Sequence, residues 1–124
     1  MYFTSTIKNN REFSRIYKNG GHYTGKYLIL YILNGDPERN ALGVTASRKA
    51  GKSVRRNRIK RLIKENYRQY ELYLHRGRLF VFVVRPRRDA YMPDYYDIRR
   101  EMRALFNRAG VFDQQLWEKS QNGA

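Results

Sequence analysis

The sequence contains no cysteine and only two histidines, and its 124 residues carry 11 acidic side chains against 26 basic ones. The lack of cysteine removes disulfides, thiolate chemistry and cysteine-based zinc sites together, and fits a reducing compartment. No apolar run approaches the roughly 18 residues of a membrane span; the longest, Tyr27 to Leu33, has the length of a strand. The opening Met1-Tyr2-Phe3-Thr4 is not a charged segment followed by an apolar one. No signal peptide and no membrane partner are therefore expected, and the predicted location is cytoplasmic. Resources for catalysis are thin. Asp97 and Glu101, spaced i, i+4 and near Asp89 and Asp94, are the one grouping able in principle to hold Mg²⁺. Acids early in a helix more commonly complement its dipole and pair with neighbours such as Arg99, Arg100 and Arg103. His22 and His75 are isolated, with nothing adjacent to mark either as base or ligand.

What the chain has in excess is positive charge, +15 in all with an isoelectric point near 10.4. Such a field drives association with a polyanion and says nothing about fold. Between Arg39 and Lys64 there are ten Lys or Arg and no Asp or Glu. Read as a helix from about Arg55 to Tyr73, at roughly 100° per residue, this stretch puts Ile59, Leu62, Ile63, Tyr67 and Tyr70 on one side. Asn57, Arg58, Lys60, Arg61, Lys64 and Arg68 fall on the other. Arg55, Arg56 and Arg58 crowd its start, where the dipole disfavours cations by roughly 0.3–1 kcal/mol each. Stability alone does not select them, whereas phosphates match guanidinium forks bidentately. An ordinary solvated face interleaves both signs.

One domain is expected over residues 1–124, with an ordered core from about 9 to 110, a loose N-terminal lead and a weak tail in which Phe112 and Trp117 are candidates to dock. Asn9 as cap with Glu12 three residues on predicts a helix over 10–18 that Gly20-Gly21 stops. Residues 26–33 predict a strand buried on both faces, with Tyr27, Ile29, Tyr31 and Leu33 on one side and Leu28, Leu30 and Ile32 on the other. A short edge strand around 22–24 is a further candidate. The turn-rich segment 34–40 predicts an antiparallel return over 41–47. Leu79 to Arg85 reads as a buried strand that the helical crossover allows to pair parallel with its predecessor. Asp94 or Asp97 caps a last helix running to about Ala109, before Gly110. The order is α-β-β-β-α-β-α, an α+β sandwich of helices against one mixed sheet.

Two binding surfaces follow. Phe13 and Tyr17 share a helix face and Tyr27 and Tyr31 a strand face, so the four rings are candidates to line a cleft that stacks single-stranded RNA. The basic cluster Arg85-Pro86-Arg87-Arg88 leaves the end of the last strand, and with Arg48-Lys49 is placed to flank the same opening. The outward face of the basic helix is the second surface.

These residues resemble a known signature. Val44-Thr45-Ala46-Ser47-Arg48-Lys49, Gly51, Ser53-Val54 and Arg56-Asn57-Arg58-Ile59-Lys60-Arg61 are similar to the motif of the bacterial ribonuclease P protein subunit. Glu12 to Tyr17 resembles that family's first helix, Tyr27 to Leu33 its central strand and Phe80 to Pro86 its last strand, so the likeness spans about residues 9–110. It implies an RNA-binding, non-catalytic protein subunit of an endoribonuclease whose large RNA removes the five-prime leader from precursor tRNA. The implied partners are that catalytic RNA and precursor tRNA, with one protein copy per RNA. Mg²⁺ is implied for the holoenzyme, held mainly by RNA and substrate, with no ion or cofactor tightly bound by the protein. The implied fold is that of the second domain of ribosomal protein S5, with a left-handed β-α-β crossover against the usual rule.

With the resemblance added, the set expected to meet the catalytic RNA is Arg48, Lys49, Lys52, Arg55, Arg56, Asn57, Arg58, Lys60, Arg61 and Lys64. The set expected to line the leader cleft is Phe13, Tyr17, Tyr27, Tyr31 and Arg85. Two departures stand out: Thr4 to Lys8 replaces a basic lead common in the family, and Tyr17 stands where Phe is frequent. Charge and fold alone equally permit a structural RNA-binding protein of ribosomal type, and a metal-dependent nuclease through Asp97 and Glu101 is the remaining alternative.

Overall fold

The computed structural model describes residues 1–87 and 89–122. Its elements are β1 (Thr4–Thr6), α1 (Asn10–Asn19), β2 (Gly21–Thr24), β3 (Leu28–Asn34), β4 (Asn40–Ala46), α2 (Ser53–Tyr70), β5 (Arg78–Val84), α3 (Tyr95–Arg108) and α4 (Gln114–Asn122), with single 3₁₀ turns at Arg48–Ala50 and Glu71–Tyr73. No helix among the described residues is long and apolar enough to cross a membrane.

The five strands form one mixed sheet in the order β1-β4-β5-β3-β2. β5 is central, parallel to β4 and antiparallel to β3. Its alternation divides two cores: Phe80, Phe82 and Val84 face α2 and α3, whereas Leu79, Val81 and Val83 face α1. A strand covered on both faces reads as a continuous apolar run for this reason. The result is three layers, α1 on one side and α2, α3 and α4 on the other.

The segment from 41 to 47 does run antiparallel to β3 but does not pair with it, because β5 lies between them. Two inter-strand spacings of about 4.8 Å each separate β3 from β4, too wide for a tight turn. The 34–39 loop instead wraps the start of β5, with the Gly35 N–H donating to Gly77 O (2.9 Å) and the Gly77 N–H to Arg39 O (3.1 Å).

The N-terminal end differs from expectation, and at the C-terminal end Phe112 and Trp117 dock as expected. The lead is not loose: β1 pairs parallel with β4, Thr4 opposite Asn40. The Glu71 carboxylate, 1% exposed, accepts from the N–H of Tyr2 (2.7 Å) and Phe3 (3.2 Å) and from the Thr4 hydroxyl. Tyr67, whose hydroxyl meets Thr4 at 2.8 Å, has its pKa pushed up to about 12 by burial. The tail forms α4, and Trp117 is buried against Tyr70, Tyr73 and Phe112.

Candidate RNA-binding surfaces

The Asn9 side chain accepts from the Glu12 N–H at 2.8 Å, starting α1 as the sequence predicts. Its end is set otherwise. Gly20 has an ordinary φ of −82°, so no left-handed cap is needed; a Cβ there would lie 2.7 Å from the carbonyl oxygens of Ile16 and Ile32. Glycine is required because α1 must turn directly onto the sheet. Gly43 serves the same approach from β4: a Cβ would sit 2.6 Å from Phe13, so the edge of the ring occupies the space a side chain would need.

The rings then connect. Phe13 and Tyr17 are 6.2 Å apart, Tyr17 meets Tyr31 edge-on at 4.9 Å, and the His22 imidazole continues the row 5.8 Å from Tyr31. Tyr17 is exposed and Phe13 and Tyr31 are half-buried, so faces remain open to solvent. Burial, then the neighbouring Tyr31, raise the Tyr17 pKa, and a hydrogen bond with Thr45 opposes them, so the phenol is neutral at physiological pH. β1 covers β4 only at Asn40–Leu42, leaving Gly43–Ala46 as an open edge beside these rings. Beyond that edge a cavity of about 390 Å³ is lined by Ile7, Phe13, Leu42 and Val44 and by Lys64 and Arg68 of α2. The aromatic row and the basic helix meet here.

Tyr27 does not share this face. It precedes β3, is buried in the core under α2 and α3, and stacks with Tyr91 at 6.1 Å. The cause is a curled backbone: the N–H groups of Lys26, Tyr27 and Leu28 all donate to the Glu101 carboxylate at 2.7–3.1 Å, whereas a pleated strand turns alternate N–H groups apart. Arg85 leaves β5 beside it, its N–H donating to Tyr27 O (2.8 Å) and its guanidinium to Gly25 O. Arg87 sits 5.0 Å from the Tyr27 ring. Arg88 of the same cluster lies outside the described residues.

The basic helix starts at Ser53, two residues earlier than its pattern suggests, and becomes a 3₁₀ turn after Tyr70. Lys52 stands at the cap position without a side-chain capping bond, and no acid occupies the first turn. Arg48, Lys49, Lys52, Asn57, Arg58, Arg61 and Lys64 are exposed; Arg55, Arg56 and Lys60 are partly covered. Arg56 donates to Ser53 Oγ at 3.0 Å, and Arg61 makes only a long contact with Glu65 at 3.9 Å. Ile59, Leu62, Ile63, Tyr67 and Tyr70 are buried, as is Asn66, whose amide donates to Leu62 O and Tyr95 O and ties α2 to α3.

The carboxylates considered for a metal are occupied otherwise. Asp97 accepts from the Asp94 N–H, the Tyr91 hydroxyl and Arg100, and both Glu101 oxygens face backbone N–H groups. Those hydrogen bonds, that of Tyr91 first, hold the Asp97 carboxyl below the usual carboxylate range. Carboxylates engaged in this way do not suit Mg²⁺.

A family profile described as Ribonuclease P matches residues 1–110. The chain belongs to the ribonuclease P protein family. It is 40% identical over 108 residues to the ribonuclease P protein component of Clostridium botulinum (strain 657 / Type Ba4), covering 86% of this chain and 96% of that one. The Alkaliphilus metalliredigens ribonuclease P protein component is 41% identical over 86 residues, 69% of this chain and 78% of its own. Among solved structures, the Staphylococcus aureus RNase P protein superposes with TM-score 0.71 at 27% identity, covering 86% and 96% of the two chains. The Thermotoga maritima RNase P protein shares the fold, with TM-score 0.74 at 24% identity over 84% and 96%.

The sequence alone did not reveal His22, Gly43, the place of Thr45 beside Tyr17 or the junction of Lys64 and Arg68 with Phe13. His22 becomes legible only through the register that sets it opposite Tyr31. Gly43 and Thr45 required knowing that β4 carries an open edge under α1.

Proposed function

We propose that this protein is the RNA-binding, non-catalytic subunit of a ribonuclease P, helping a catalytic RNA remove the five-prime leader from precursor tRNA. The observation that carries the reading is the row Phe13-Tyr17-Tyr31, continued into the cavity bounded by Lys64 and Arg68. Aromatic faces stack unpaired bases whatever their sequence, and cations alongside follow the backbone, which suits a variable single-stranded leader. The other face of α2, led by Arg55, Arg56 and Arg58, then docks the catalytic RNA through its phosphates. Binding both RNAs at once lets a +15 protein offset the repulsion between them. It also holds the scissile bond near the ribozyme, converting part of recognition into an intramolecular step. Mg²⁺ belongs to RNA and substrate in this account.

Reconstitution tests it. Protein added to its catalytic RNA at low Mg²⁺ should raise the rate of precursor tRNA cleavage well above that of RNA alone. No gain from added protein favours the ribosomal-type reading. Cleavage by protein alone, lost in Asp97→Ala, establishes the nuclease.

A further inference from the structure

On the opposite side of the sheet from the aromatic row, a cavity of about 470 Å³ opens between the first turn of α2 and the loop that follows β5. Its composition is unusual for a solvated surface. Val54 is 82% exposed in a helical turn that also carries Arg55 and Arg56, and Met92 presents a thioether from the facing loop. Lys52, Arg55, Arg58 and Arg87 line the same space, and the one acid among the lining residues, Asp89, is already paired with Arg87. Arg55 is drawn across the cavity: its stem lies over Gly51, where a Cβ would come 2.6 Å from Cδ, and its guanidinium reaches Met92 Sδ at 3.5 Å. Gly51, at φ +119°, permits both the backbone turn and this close approach. Stacking of Tyr91 on Tyr27, itself fixed by Glu101, holds the facing loop in place.

We infer that this cavity receives the base of one unpaired nucleotide of the catalytic RNA, with its flanking phosphates on Lys52 and Arg58. The inference rests on the reading that α2 docks that RNA. An apolar pair beside several cations and no free acid matches a flat, weakly polar ring carried on an anionic backbone, and the volume lies within the range of ordinary ligand pockets. Acidic peptides satisfy the cations but leave Val54 and Met92 facing carboxylates. The leader is excluded because its rings lie under α1, with the sheet between.

Two measurements test it. In methyl NMR of the intact protein, adenosine 5′-monophosphate should shift the Val54 and Met92 methyls saturably, whereas ribose 5-phosphate should not. Equal shifts with both, or no shift with either, overturn the base site. In filter binding, Val54→Glu should weaken affinity for the catalytic RNA by about tenfold, the size of one lost buried aliphatic contact. Its affinity for a leader oligonucleotide should stay unchanged. Since Val54 is exposed, the variant should keep the native circular dichroism spectrum and melting curve. Unchanged affinity of Val54→Glu, with Arg58→Ala still weakening assembly, rejects the cavity and keeps the docking face. Loss of neither rejects both.

Discussion

Glu71 is a nearly fully buried carboxylate whose partners are two backbone N–H groups and a hydroxyl from the first four residues. Burying such a group is costly unless its acceptors are used, and here they hold the N-terminal strand. Glu71→Ala should lower stability by about 1–3 kcal/mol in urea unfolding. Faster amide exchange at Tyr2 and Phe3 should accompany it, and unchanged stability would show the strand held by its β4 pairing alone. Gly43 makes the matching statement about function. Gly43→Ala places a methyl 2.6 Å from the present Phe13 ring position. It should weaken leader binding several-fold in a fluorescence titration and leave catalytic-RNA affinity unaltered; equal losses in both would mean a general packing defect.

At the scale of elements, what could be read from the chain and what could not divides by where the signal resides. α1 and α3 are set by neighbours in sequence: Asn9 with Glu12, and Asp94 with Asp97 in a reciprocal capping box, are visible without tertiary knowledge. β1 is not, since three polar residues carry no periodicity and their pairing depends on β4 and Glu71. The place of β5 between β3 and β4 is decided by burial on both faces rather than by the intervening loop. Tyr27 leaves the expected face because of Glu101, 74 residues away. The α3 cap also predicts a pH response. The folded pKa of Asp97 lies below its unfolded value, so its contribution is present above about pH 4 and is lost as pH falls further. Between about pH 5 and pH 2 the melting temperature of the wild-type protein should fall more steeply than that of Asp97→Asn. Parallel curves would remove Asp97 from the acid response.

For the whole molecule, the sheet separates two kinds of surface. α1 and the open edge of β4 present aromatic faces, α2 presents cations on the opposite layer, and among the described residues they meet at Lys64 and Arg68. That arrangement suits a protein that touches two RNAs, one chiefly through stacked bases and the other chiefly through phosphates. The most direct measurement compares Phe13→Ala and Arg58→Ala for affinity to a leader-bearing precursor tRNA fragment and to the catalytic RNA, at one salt concentration. Phe13→Ala should lose leader affinity by about tenfold with assembly intact, and Arg58→Ala should weaken assembly while leader binding stays within about twofold. Equal losses from both substitutions in both assays would contradict the account.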